Sequence, residues 1–219
     1  MQFPGMISVK QSLLGPVIAD VEQEISRQFQ QPWLQRQIDP KMRIAVAVGS
    51  RGIANINTIV RTVCQELKSR GAAPFIVPAM GSHGGATAEG QIAVLRSLGI
   101  TEEFCGVPII SSLEVVELGT TKDKVPVYLD KQAWQADGVV LVNRIKPHTD
   151  FSSPLGVESG LLKMSVIGLG KHAQAKLVHE YGIWGLRDFL PEAAEIVLNK
   201  GKVLCGLGIV ENGRDETAL

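Results

Sequence analysis

Gly138-Val139-Val140-Leu141-Val142-Asn143-Arg144-Ile145 decides the fold: a glycine leads into an unbroken apolar run, mostly β-branched, that ends on Asn143 and Arg144. Such a run, bounded by polar residues, reads as a strand buried on both faces, the kind found in parallel sheets covered by helices. Arg43–Val48 (RIAVAV) carries the same signature and is ended by Gly49-Ser50-Arg51-Gly52. Behind it, Ile56, Ile59, Val60, Val63 and Leu67 share one face of a helix that stops near Gly71. Residues 74–78 (PFIVP) read as the next strand and residues 79–86 as a glycine-rich loop. Thr87 then reads as the N-cap of a helix holding Ile92, Val94, Leu95 and Leu98. Strand and helix alternate, which predicts an α/β fold: a layered αβα domain around a mostly parallel sheet.

Towards the N-terminus, Val17, Ile18, Val21, Ile25 and Phe29 follow Pro16 at near-helical spacing and predict an amphipathic helix of about four turns. Residues 107–111 and 125–129 read as strands preceding Gly138. Residues 163–169 and 203–210 are further apolar runs, with helices expected around 173–181 and 186–199. No internal repeat or low-complexity tract interrupts the pattern.

Of the 219 residues, 45% are hydrophobic and 20% charged, enough apolar material for a sizeable core. Lys plus Arg equals Asp plus Glu at 22 each, so no basic footprint points to nucleic acid or to an anionic membrane. A small molecule is the expected partner. Cys64, Cys105 and Cys205 stand far apart beside apolar residues, with no C-x-x-C pair, which predicts reduced, buried thiols and a reducing compartment. The opening MQFPGM has no basic stretch leading into an apolar one, and no run approaches the roughly 20 apolar residues of a membrane helix. A cytoplasmic chain is expected.

In a parallel sheet, ligands gather beyond the carboxyl ends of the strands. Arg51, His83 and the cluster from Arg144 to His148 each follow a predicted strand, so one topology carries all of them to one rim. Arg51, in a turn leading towards a helix, suits a carboxylate or phosphate; the plainer reading is a surface arginine. His83, among glycines, offers an unshielded imidazole for proton transfer, or is a loop histidine bonded to its neighbours. His148 is a second acid/base candidate, with Asp150 or another carboxylate to orient it, against a merely solvated basic loop. Lys163 sits in Leu161-Leu162-Lys163-Met164-Ser165-Val166-Ile167. Its ammonium snorkels to solvent, pairs with an anion, or loses its proton and becomes a nucleophile or covalent anchor. His172 and His179 lie seven apart, about two turns along a helix, where a metal ligand or a plain polar face fits. H-E-x-x-H, Walker, G-x-G-x-x-G and G-x-S-x-G patterns are absent, which argues against a zinc protease, a P-loop or dinucleotide fold and a serine hydrolase.

Together, Gly49-Ser50-Arg51, Gly81-Ser82-His83, residues 146–151 (KPHTDF) and residues 159–171 (SGLLKMSVIGLGK) resemble, in order and spacing, the N-terminal domain of the lactate racemase family. The resemblance runs by motif from about Arg43 to Gly208 and implies an isomerase that inverts a 2-hydroxy acid with a nickel-pincer nucleotide. In that family the nucleotide is tethered through a thioamide to a lysine, matched by Lys163, and a downstream histidine, matched by His179, completes nickel coordination. Two histidines that flank the substrate match His83 and His148, and an arginine that holds it matches Arg51. The implied reaction takes the hydroxyl proton on one histidine while the Cα hydride passes to the cofactor, and the other histidine serves the return on the opposite face. A lysine acylated by such a tether carries no charge, which makes the apolar setting of Lys163 far less costly.

This sequence departs from the family pattern at two places. Val48-Gly49-Ser50 precede the arginine where an acidic D-x-T-R sequence is common, and Gly84 follows His83 where an arginine is common. A divergent branch acting on a substrate other than lactate is expected. Family members are about twice this length, so residues 1–219 are expected to form a single N-terminal, cofactor-anchoring domain, served by its own C-terminal domain and by cofactor-synthesis and insertion proteins. Two other readings fit the residues: a lyase or aldolase with Lys163 as Schiff-base lysine, and a non-catalytic nucleotide- or anion-binding module of the same fold.

Overall fold

The computed structural model describes residues 5–147 and 159–219. Arg43–Val48 (β1) pairs in parallel with Ala73–Pro78 (β2), in register from Arg43 with Ala73 to Val48 with Pro78. Two further strands, Val115–Thr120 (β3) and Pro126–Asp130 (β4), form a separate antiparallel hairpin. Gly138–Arg144 (β5) lies parallel to β1 on its other side, and Val203–Ile209 (β6) lies parallel to β5, giving the order β2-β1-β5-β6. The strongest strand of the sequence is therefore central, as its two-sided burial requires.

Alternation along the strands divides the core in two. Ile44, Val46, Val48, Val140 and Val142 face one layer, where they meet Val21–Phe29 (α1) and Ile56–Ser69 (α2) through Ile25, Phe29, Ile59, Val63 and Leu67. Ala88–Ser97 (α3) adds Leu95 to that layer. Ala45, Ala47, Val139 and Leu141 face the opposite layer. There they meet Lys171–Glu180 (α4), Leu190–Lys200 (α5) and the β3–β4 hairpin through Val178, Leu190, Val197, Val127 and Leu129. This is the αβα arrangement, and a truncation such as Leu141→Ala costs about 2–5 kcal/mol. No helix among the described residues is long and apolar enough to cross a membrane.

Four local expectations change. The first helix starts at Val21, because Asp20 accepts from the amide of Gln23 at 2.9 Å and caps it there; Val17 and Ile18 lie outside, with Ile18 donating to the carbonyl of Thr217. Residues 107–111 make only a single bridge, Ile109 beside Ile76 at the outer edge of β2, since Pro108 has no amide proton to extend a ladder. The strand β3 fell outside the expected set because its burial is only partial and its residues do not form a continuous apolar run. The apolar run at 163–169 is helical: Leu161–Lys163 leads into a π-helical turn over Met164–Gly168, packed on α5 and α4. Wide turns of this kind often accompany functional sites.

Cys64, Cys105 and Cys205 are free thiols, and burial pushes them up to about 12, 11 and 12 respectively, so all stay protonated and inert near neutrality.

Candidate active site

The carboxyl ends of β1, β2 and β5 open into one cleft of about 370 Å³. Each strand end delivers a side chain. Beyond β1, Ser50 and Arg51 line the cleft; beyond β2, His83; and at the end of β5, Arg144. Lys163 enters from the opposite layer, half-buried, and His179 enters from the last turn of α4. The lining among the described residues carries four cations, Arg51, Arg144, Lys146 and Lys163, and no carboxylate. A cleft with this balance favours an anion. A second cavity of about 240 Å³ lies between α1 and β6, but apart from Glu24 its lining is apolar or uncharged and offers no comparable chemistry.

Glycines allow this convergence. Gly49 lies against the Asn143 side chain, where an added Cβ would stand 3.2 Å from its Oδ1. Gly168 packs so closely on β2 that a Cβ there would meet the Ala79 carbonyl oxygen at 2.6 Å. The Gly81 amide donates to the Gly168 carbonyl at 3.2 Å, joining the His83 loop to the turn that follows Lys163. Asn143 donates through Nδ2 to the Gly160 carbonyl at 3.0 Å and fixes the start of the Lys163 helix against the end of β5.

His83 is bonded through Nδ1 to the Ser50 hydroxyl, a contact that ties the β1 loop to the β2 loop. Partial burial holds its pKa below the ordinary imidazole value, and the positive fields of Arg51 and His179 lower it further. The ring is thus neutral near pH 7 and able to accept a proton. Among the described residues Arg51 is exposed and makes no ion pair, which leaves its planar guanidinium available to an anionic ligand. Arg144 differs: it pairs with Glu211, whose other oxygen accepts from the Ala54 amide at 2.6 Å. Burial would raise the Glu211 carboxyl, but the Ala54 amide and Arg144 outweigh it and hold the group below its ordinary range.

His179 has one feature bearing directly on metal binding. Its Nδ1 lies 2.6 Å from the Ala175 carbonyl, which can only accept, so Nδ1 carries the proton and the neutral ring keeps its lone pair on Nε2. An imidazole oriented this way by a backbone carbonyl is a common form of metal ligand. Among the described residues no group of three or more His, Cys, Asp or Glu forms a complete metal site, so a metal at His179 would take its other ligands from elsewhere. The glycines that line the cleft beside Lys163 and the oriented imidazole of His179 fit a bound cofactor that brings those ligands.

His172 is exposed, does not line the cleft and stays a polar-face residue. His148 and Asp150 lie outside the described residues. Three participants escaped the sequence reading: Ser50, Glu211 and Lys171. The lysine without solvent contact is Lys171, ion-paired at 3.0 Å with the equally buried Asp130, while Lys163 reaches the cleft. The sequence carries no signal at Lys171, because the helix expected there begins at 173 and only the structure starts it at Lys171.

A parallel sheet covered on both sides, with cations and imidazoles gathered at its carboxyl rim, defines an α/β domain with a cationic cleft at the ends of its strands. Residues 8–181 match the family described as the lactate racemase N-terminal domain, and the chain belongs to that family. The lactate racemase apoprotein from Thermoanaerobacterium thermosaccharolyticum superposes with a TM-score of 0.69 at 15% identity, a likeness of fold. The match covers 94% of this chain and 52% of the other, so the chain spans about half the length of that solved relative. No curated protein sequence matches.

Proposed function

We propose that this chain is the N-terminal, cofactor-anchoring half of a nickel-pincer nucleotide-dependent racemase or epimerase of 2-hydroxy acids, working in the cytoplasm with its own C-terminal domain. The observation that carries the reading is His179: its Nδ1 is bonded to the Ala175 carbonyl, and the residue lines the same cleft as Lys163, Arg51 and His83.

Lys163 would hold the nucleotide covalently and His179 would give the nickel its protein ligand. When bound, the cofactor supplies a hydride acceptor for the substrate carbon. Arg51 would hold the substrate carboxylate in two parallel hydrogen bonds. His83, kept neutral by burial and by Arg51, would take the substrate hydroxyl proton, with Ser50 fixing its ring. His148 would serve the opposite face. Two bases are needed because inversion requires proton transfer on both enantiomers, each presented with its hydroxyl towards a different side.

The test is a screen of loaded, full-length protein against a panel of 2-hydroxy acids and sugar acids for stereochemical inversion. We expect inversion of at least one, lowered about 10²–10⁴-fold in His83→Ala. Ligand binding that is unchanged in His83→Ala, with no inversion of any panel member, would instead favour a binding module.

A further inference from the structure

Lys171 has no role in the proposed reaction, yet it is fully buried and sits at φ 56, a left-handed backbone at the first residue of α4. Its Nζ lies 3.0 Å from Asp130 Oδ2, 2.5 Å from the Pro78 carbonyl and 3.3 Å from Gln91 Oε1. Pro78 and Gln91 accept hydrogen bonds from the ammonium, while Asp130 Oδ2 stands at ion-pair distance with no hydrogen bond of its own among the described residues. Burial pulls the lysine pKa down and Asp130 opposes that pull.

The contact with Gln91 has a geometric consequence. An ammonium only donates, so Gln91 must turn its oxygen towards Lys171 and its amide nitrogen the other way. That nitrogen donates to the Gly81 carbonyl at 2.9 Å and to the His83 carbonyl at 3.4 Å. Gln91 is itself fully buried, so its amide has no water to turn towards. The loop it grips is intrinsically permissive: Gly81, Gly84, Gly85 and Ala86 all have positive φ, and contacts from outside must select its conformation.

We propose that Lys171 is a positioning residue for His83, acting through Gln91. Lys171 fixes the orientation of the Gln91 amide, the amide holds the carbonyls of Gly81 and His83, and the imidazole is thereby delivered to Ser50 and the cleft. Asp130 balances the lysine charge and keeps its place by accepting from the Ala133 amide at 2.8 Å. The clamp is a feature of the chain itself; only its catalytic meaning rests on His83 being the acid/base group.

The chain holds only four histidines, so their ring nitrogens are individually assignable by NMR in the 219-residue protein. Gln91→Met removes the amide without removing a charge. We expect the His83 ring nitrogens to move towards tautomer-averaged values, amides 81–86 to exchange at least tenfold faster, and the Lys171 ammonium protons to lose protection, with His172 unchanged. Lys171→Met combined with Asp130→Asn removes the charges together and should reproduce the His83 changes, with no further change when Gln91→Met is added. An unaltered His83 ring or unaltered Lys171 protection in Gln91→Met overturns the proposal, and so does simple additivity in the combined variant. The Lys171 protection measurement needs no lysine variant and decides the coupling even where that variant does not fold. Absence of racemase activity would leave these spectra as they are, so the two readings fail separately.

Discussion

His179 donates its Nδ1 proton to the carbonyl of Ala175, one helical turn back, a bond that selects the neutral tautomer with its lone pair on Nε2, in a residue that lines the cleft. The bond is short-range and built into α4, so it forms with the helix and orients the ring before any ligand arrives. His179→Ala in loaded full-length protein is expected to weaken nickel retention at least tenfold while leaving the mass at Lys163 unchanged. Because His179 is exposed, stability should move by no more than about 0.5 kcal/mol. Unaltered nickel content would remove His179 from the metal site.

Gly84 explains one departure from the family pattern. Its φ is +66, and an added Cβ would stand 2.6 Å from the carbonyl carbon of Gly90, while a Cβ on Gly90 would meet the Gly84 oxygen at 1.8 Å. The two glycines pack backbone on backbone, so no side chain at 84 fits this loop. Gly84→Ala and Gly84→Arg should both lose about 1–3 kcal/mol in urea denaturation and displace the His83 ring. A Gly84→Arg variant as stable as the parent would contradict this packing.

The sheet was legible because β1, β2 and β5 are short apolar runs bounded by glycine, proline or polar residues, a pattern that two-sided burial favours. The convergence of Arg51, His83 and Arg144 at one rim followed from parallel topology without any knowledge of contacts. What stayed hidden depends on partners far apart in the chain. Asp130 and Lys171 gain their meaning only when the fold buries them together, and Glu211 only when β6 returns the chain beside Arg144 and Ala54. The 163–169 run was ambiguous for another reason: periodicity cannot separate a short buried strand from a short buried helix.

Glu211 links the end of β5 to the approach of α2, and its charge carries a pH signature. The folded carboxyl titrates below its ordinary 4.5, so the folded state binds fewer protons than the unfolded state in that window. The stabilisation is complete above 4.5 and disappears as pH falls through the depressed folded value. Glu211→Gln is expected to cost about 1–3 kcal/mol at pH 7. The difference from the parent should shrink on acidification below 4.5, as followed by urea denaturation across a pH series. A deficit that stays constant to the lowest pH would show that Glu211 contributes by shape alone.

Lys163 carries the central claim, because its covalent state separates a cofactor-bearing isomerase from a Schiff-base enzyme and from a binding module of the same fold. The decisive measurement is the intact and peptide mass of full-length protein produced together with the cofactor-synthesis enzymes, read beside its nickel content. The account predicts a mass adduct confined to the Lys163 peptide with bound nickel, and neither in Lys163→Ala. An unmodified Lys163 without nickel, or a substrate trapped on it by borohydride in the absence of metal, would contradict it.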